Sequence, residues 1–439
     1  MRRPSPLILA AILLCVAAAG CSSEGGKKPP APPIIENESV PPLTDNLAVD
    51  IHIDATLSME GFVVPGTGGG ETSYYRQLLP RLESAALTGW KNSQVNFYQF
   101  GTTVVPVTGR GHVMASEPSF YHNPAVNRET NIQKVLERMA QDKLMVIVTD
   151  LFQTNADSAM LITELRDRFL KHNLAVGILG LRSQFNGIIY DLKATGGQLP
   201  YRTGHDPATY RPFYLILLGN HSDVSHYFRQ LQSLRLPFVD ANHFWLFTKH
   251  YTPSRNLLRG ATVMPRTSRL VQVSSLFKSQ APPELRQFRL GDRDATLEML
   301  MDCPVEPFTT PFNRSSLGYK LDVAVPAAKA WIPEPEATKG FKIERLAFEP
   351  KGDKIRLLAK LDPKCFRTDE TYAVNCAVFP RDDAFQTPAW PQEWDMGSTQ
   401  ADGAKTLNID LFMLSLWRTS NQIARPELGT FTICIRKVQ

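Results

Sequence analysis

The sequence has no long block of Lys and Arg, and its formal net charge is only +5 over 439 residues. A nucleic-acid surface needs clustered cations, so that class of partner is not expected. Cysteine is sparse, at six residues, and none stands in a paired Cys-x-x-Cys arrangement with nearby histidine, which argues against zinc. Internal repeats are lacking, which argues against a solenoid or a propeller. The apolar run Leu7–Ala19 is too short to span a bilayer as a helix, which takes about 20 residues. What remains, 43% hydrophobic and 21% charged, is a composition that builds ordinary globular cores, enough for two or three domains.

The N-terminus carries the clearest signal. A basic start, MRRPSP, precedes the apolar run LILAAILLCVAAA and then Gly20 and Cys21, the order of an export signal. Residues 16–21, VAAAGC, resemble a bacterial lipobox, with Ala18 where Leu is commoner. The resemblance implies a signal peptide over 1–20, lipidation at Cys21 and attachment to a membrane of the bacterial cell envelope. Residues 21–45 are rich in Pro and Gly and cannot build a core, so they read as a tether. At ~3.1 Å per residue an extended chain of that length reaches on the order of 70 Å. An exported chain meets an oxidising compartment, so Cys303, Cys365, Cys376 and Cys434 are expected in disulfides. Three pairings are open; Cys365–Cys376 with Cys303–Cys434 is the preferred one.

Residues 46–251 alternate apolar runs with helical patterns. KLMVIVTD (143–150), LAVGILGL (174–181) and RPFYLILLG (211–219) read as strands covered on both faces. Helical faces are expected over 73–87, interrupted at Pro80, and over 131–139, 155–172 and 222–234. The runs 95–100 and 104–107 read as an edge hairpin. The predicted fold class is α/β, a mostly parallel sheet flanked by helices. Residues 252–335 form a β-rich middle region and 340–439 a sandwich-like domain, with WIPEPEATKG (331–340) as the hinge.

Candidate chemistry begins at IHIDATLSMEG (51–61), where Asp54, Thr56 and Ser58 supply one carboxylate and two hydroxyls within five positions. These are hard oxygen donors, suited to magnesium or calcium. Asp150 ends another predicted strand and Thr130 opens the helix feeding it, so both should arrive at the same sheet edge. Asp50 and His52 share a strand face with Asp54; His52 reads first as a hydrogen-bonded strand histidine and otherwise as support for the site. HDPATY (205–210) reads as a turn. The long segment 182–210 should leave from the same edge, either as a contact surface or as a structural excursion packed on the β-rich region.

The set Asp54-x-Thr56-x-Ser58, then Thr130, then Asp150 resembles the von Willebrand factor A (vWA) domain and its metal-ion-dependent adhesion site, over about residues 47–234. Thr56 stands where the family has Ser and keeps the hydroxyl; Leu57 stands where Gly is usual. The resemblance implies a Rossmann-type sheet with Mg²⁺ (or Mn²⁺ or Ca²⁺) held by Asp54, Thr56, Ser58, Thr130 and Asp150, directly or through water. It also implies a protein partner that offers an acidic residue to the metal, and binding rather than catalysis. Two alternatives stand beside it. One is a metal-free scaffold with a degenerate site. The other is a Mg²⁺-dependent hydrolase with Asp54 as nucleophile, although Thr56 stands where such phosphatases commonly place a second Asp.

Overall fold

The computed structural model describes residues 31–32, 40–64, 72–140, 142–151, 155–172, 174–192, 197–252, 256–274, 276–277, 285–327, 330–350, 352–397, 401–423 and 427–439. The expected signal peptide, Cys21 and most of the expected tether lie outside them.

In chain order the first part comprises β1 (Asn46–Asp54), α1 (Leu57–Glu60), α2 (Tyr74–Gly89), β2 (Asn92–Phe100), β3 (Val104–Val107), α3 (Gly111–Met114), α4 (Ile132–Leu136), β4 (Lys143–Thr149), α5 (Asn155–His172), β5 (Ala175–Ser183), β6 (Asn186–Leu192), β7 (Gly197–Arg202), β8 (Arg211–Gly219), α6 (His221–Ser233) and β9 (Phe244–Phe247). One seven-stranded sheet runs β3-β2-β1-β4-β8-β5-β9. Its central strands β4 and β8 are apolar on both faces, with Val146, Val148, Leu215 and Leu217 buried on one and Met145, Ile147, Ile216 and Leu218 on the other, because helices cover both sides. β1 turns Val49, Ile51 and Ile53 to the first face and Asp50 and His52 to the second. The edge hairpin β2–β3 is as expected. Helix α2 runs unbroken through Pro80.

The expected mostly parallel order needs correction. Only β1 with β2 and β1 with β4 pair in parallel; β8 inserts antiparallel between β4 and β5, and β9 pairs antiparallel with β5. The cause is local: β5 and β8 are joined by the excursion 184–210 instead of by a crossover helix, and a strand that returns directly must run the other way. That excursion is the two-stranded ribbon β6–β7. It packs on the turn after α1, where Asn186 N–H donates to the Gly61 carbonyl at 2.8 Å, while Tyr201 of β7 lies against Gly403 in the later part of the chain.

The second part comprises β10 (Thr262–Val263), β11 (Leu270–Val273), β12 (Arg286–Leu290), β13 (Ala295–Asp302), β14 (Leu317–Pro326), β15 (Trp331–Pro333), α7 (Pro335–Gly340), β16 (Phe341–Phe348), β17 (Lys354–Leu361), β18 (Thr371–Pro380), α8 (Trp390–Trp394), α9 (Ile409–Ile423) and β19 (Gly429–Lys437). Two sheets, β10-β13-β17-β16 and β11-β12-β19-β18-β14-β15, share one core. The expected boundary at 335–340 does not divide them, since β13 pairs with β17 and β12 with β19. Residues 331–340, expected as a hinge, instead form β15 and α7.

The chain then returns to the first part. Trp390, Trp394, Ile409, Phe412, Met413 and Leu416 pack with Trp245, Phe247, Val176 and Leu165 in a single core cluster. Tyr214 donates to Thr406 Oγ1 at 2.8 Å, and Trp245 Nε1 donates to Thr310 Oγ1 at 2.9 Å. The α/β unit therefore does not close at residue 251; α8 and α9 supply the cover over β5 and β9.

The disulfide expectation is also corrected. Cys303, Cys365, Cys376 and Cys434 are free thiols. Cys303 and Cys376 lie in the sandwich core, whereas Cys434 faces a separate cluster with Leu276, Phe277 and Leu285. Burial pushes the Cys303 and Cys376 thiols up to about 12.

Candidate metal centre

β1 ends at Asp54, and Ala55 N–H is held by the Phe100 carbonyl of β2 at 2.8 Å, which turns the chain sharply out of the sheet. Thr56 then occupies the N-cap position of α1, yet its hydroxyl does not cap the helix. It donates instead to Asp54 Oδ1 at 2.7 Å, and its backbone N–H reaches the same oxygen at 3.1 Å. An N-cap hydroxyl normally satisfies a helix N–H, so this one is diverted toward the carboxylate.

The other donors close on the same point. The Thr56 and Ser58 hydroxyls lie 3.1 Å apart, Thr56 and Thr130 lie 3.4 Å apart, and Thr130 donates to Asp54 Oδ2 at 3.1 Å. Thr130 arrives through a tight crossing. The Thr102 N–H donates to the Val126 carbonyl at 2.8 Å and Asn131 N–H to the Gly101 carbonyl at 3.3 Å. A Cβ on Gly101 would stand 2.1 Å from the Val126 oxygen, so only glycine lets the two segments cross there. Asp54 is fully buried, Thr56 nearly so, and Ser58 and Thr130 are half-buried, which makes the latter two the opening to solvent.

Asp150 follows β4, and Leu151 after it adopts φ of 50°, a left-handed conformation that a non-glycine residue rarely holds. The Asp150 carboxylate is near enough to Asp54 to raise its pKa. Arg211 pairs with it: Nη2 donates to Asp150 Oδ2 at 2.8 Å, both side chains being 1% exposed. Arg211 also lies over the Phe185 ring, 5.2 Å from its centroid.

Burial first, and the Asp150 charge second, push the Asp54 carboxyl up to about 6, against hydrogen bonds from Thr56 and Thr149 that hold it down. Thr149 Oγ1 donates to Asp54 Oδ2 at 2.8 Å. Sequence reasoning missed Thr149, Arg211 and Gly101. The available signals were a hydroxyl directly before Asp150 and a lone cation heading the apolar run RPFYLILLG. At the rim, His122 Nε2 meets Glu60 Oε1 at 2.8 Å.

His52 is buried but not as expected. Neither ring nitrogen has a hydrogen-bond partner among the described residues; the ring stacks on Tyr98 at 4.6 Å. Burial holds it neutral, with its pKa lowered to about 3. Asp50 bonds Lys143 and Asn96, each at 2.8 Å, and takes no part in the site.

The donor set suits a hard cation. Oxygens 2.0–2.1 Å from one magnesium in an octahedron lie about 2.9 Å apart along an edge. The spacings among Asp54, Thr56, Ser58 and Thr130 run from 2.7 to 3.4 Å. Among the described residues no group of three or more His, Cys, Asp or Glu side chains could hold a metal, so a cation at this point would have to be held largely by hydroxyls. No family model matches this chain, and no curated protein matches it.

Proposed function

We propose that this chain is a bacterial envelope lipoprotein with a vWA-like domain that binds a protein partner through a divalent cation, Mg²⁺ or alternatively Mn²⁺ or Ca²⁺. The observation that carries the reading is the cluster of Asp54, Thr56, Ser58 and Thr130 oxygens, drawn from two segments and spaced as cation ligands are. Asp150 stands beside it as the second carboxylate. The half-buried Ser58 and Thr130 leave the cation one open side, where an acidic residue of the partner completes the coordination. The cation bridges two proteins, and the reading is of a binder rather than an enzyme.

The way the chain enters the domain supports a surface role. Thr44 N–H and Oγ1 reach the two Asp223 carboxylate oxygens at 3.0 and 2.6 Å, and Ser222 Oγ donates to the Pro41 carbonyl at 2.6 Å. These bonds fix the end of the tether at the start of β1, whereas the oxygen cluster lies at its far end. Nine residues of strand separate the two by roughly 25 Å. A domain anchored through Cys21 would thus present the site away from its own membrane.

A metal-free scaffold is the second reading, favoured by the Arg211–Asp150 pair, which satisfies one carboxylate without any ion. Melting of residues 22–439 with and without metal separates the two. Millimolar Mg²⁺ or Mn²⁺ is expected to raise the melting temperature and EDTA to reverse it. A cation at a hundredfold excess over its Kd stabilises by about 2.7 kcal/mol. Thr56→Ser should keep that response and Thr56→Val should lose it. A wild-type protein whose melting and calorimetry ignore both ions leaves the scaffold reading.

A further inference from the structure

A buried ion pair is an expensive way to stabilise a fold, because both charges leave water. Arg211 and Asp150 are each 1% exposed, and Asp150 follows β4, the parallel neighbour of the strand that ends in Asp54. The antiparallel insertion of β8 brings Arg211 to Asp150: the start of β8 lies beside the end of β4, and Arg211 is paired across the sheet with Ser183 at the end of β5. Among the described residues the buried charges of the site are then two carboxylates, Asp54 and Asp150, and one guanidinium.

We propose that Arg211 sets the charge of this site. With Asp54 and Asp150 it holds the metal-free site at one net negative charge, and a bound divalent cation reverses that to one net positive charge. A partner carboxylate is repelled before the metal arrives and attracted after it. Without Arg211 the site would carry two negative charges, hold the cation more tightly, and become neutral once loaded, with less attraction for an acidic partner. Arg211 thus trades metal affinity for metal-gated recognition of an anionic group. This rests on the metal-binding reading above.

The test is calorimetric titration of the full chain without its leader, with Mn²⁺ alone as the probe. Arg211→Gln removes the charge but keeps a donor toward Asp150; Arg211→Lys keeps the charge. A unit charge lost at this range implies roughly 10- to 100-fold tighter Mn²⁺ binding for Arg211→Gln, with Arg211→Lys close to wild type and a lower metal-free melting temperature for Arg211→Gln. Arg211→Gln binding equally or more weakly than wild type overturns the inference and would mean that Arg211 merely positions Asp150. Should Arg211→Gln fail to fold, two further variants keep the question open to refutation. Asp150→Asn leaves the site with no net charge, whereas Arg211→Gln with Asp150→Asn restores a charge of −1 from Asp54. The double variant should bind Mn²⁺ at least tenfold more tightly than Asp150→Asn alone, and equal affinities refute the charge argument. If neither wild type nor any Arg211 variant binds Mn²⁺, the metal reading itself fails and the inference with it. Binding by Arg211→Gln but not by wild type supports the inference, since the guanidinium then suppresses the cation.

Discussion

The two halves of the seven-stranded sheet meet between β4 and β8, and they treat a carboxylate in opposite ways. The parallel half surrounds Asp54 with neutral donors, the hydroxyls of Thr56, Thr130 and Thr149. Burial still wins, and the acid stays raised to about 6. The antiparallel half meets Asp150 with a full cation, Arg211. Hydroxyls can turn their lone pairs to a metal and so leave Asp54 available; a guanidinium cannot, and it commits part of Asp150. Running one strand backwards is what lets a strand start and a strand end share one edge, so that both kinds of group reach one site.

The halves also differ in how they are covered, and breaking that difference should give the largest effect. The antiparallel half depends on α8 and α9, whose Phe412, Met413 and Leu416 complete its core. A chain cut after Thr252 loses that cover and is expected to unfold non-cooperatively or aggregate, as read by calorimetry and size-exclusion chromatography. A well-behaved fragment with a sharp melting transition would show that the parallel half and its own helices suffice.

The next effect isolates the Asp54 charge. Its folded pKa, about 6, lies above the ordinary value of 3.8, so the ionised group costs stability above pH 6, and the cost vanishes as pH falls toward 4. Asp54→Asn should therefore stabilise the metal-free protein by up to about 3 kcal/mol at pH 8. The advantage should shrink steadily between pH 6 and pH 4, measured as the difference between variant and wild-type denaturation curves. A pH-independent difference would mean that the carboxylate is not strained by burial. Asp150→Asn should instead destabilise the metal-free protein, because it strands the Arg211 charge.

A smaller effect sharpens the geometry of the parallel half alone. Gly101→Ala pushes on the Val126 carbonyl and should cost about 1–3 kcal/mol. Its diagnostic consequence is displacement of Thr130, hence a weaker Mn²⁺ response at unchanged Arg211 geometry. An unaltered metal response would show that Thr130 is dispensable to the site.

Much of this arrangement was legible in the chain. The apolar runs located β4, β5 and β8, and the change from apolar to Asp marked where β1 and β4 end, because a buried strand cannot carry an unpaired carboxylate through its interior. That is why Asp54, Thr56, Ser58, Thr130 and Asp150 could be named as one set across almost a hundred positions. Strand direction was not legible. An apolar run covered on both faces reads the same whether its neighbours are parallel or antiparallel, so RPFYLILLG gave its position in the chain without its sense. The role of Arg211 followed from that sense, and so did the mixed character of the sheet.

The sequence by itself determined which groups could do chemistry and which runs must be buried, since side-chain oxygens and apolar periodicity are local properties of the chain. Only the tertiary structure decided what stands opposite each of them. Arg211 beside Asp150, Val126 across Gly101, and α9 over β5 are contacts between segments 25 to more than 200 residues apart. Such contacts are set by how the whole core closes, and no local pattern encodes them.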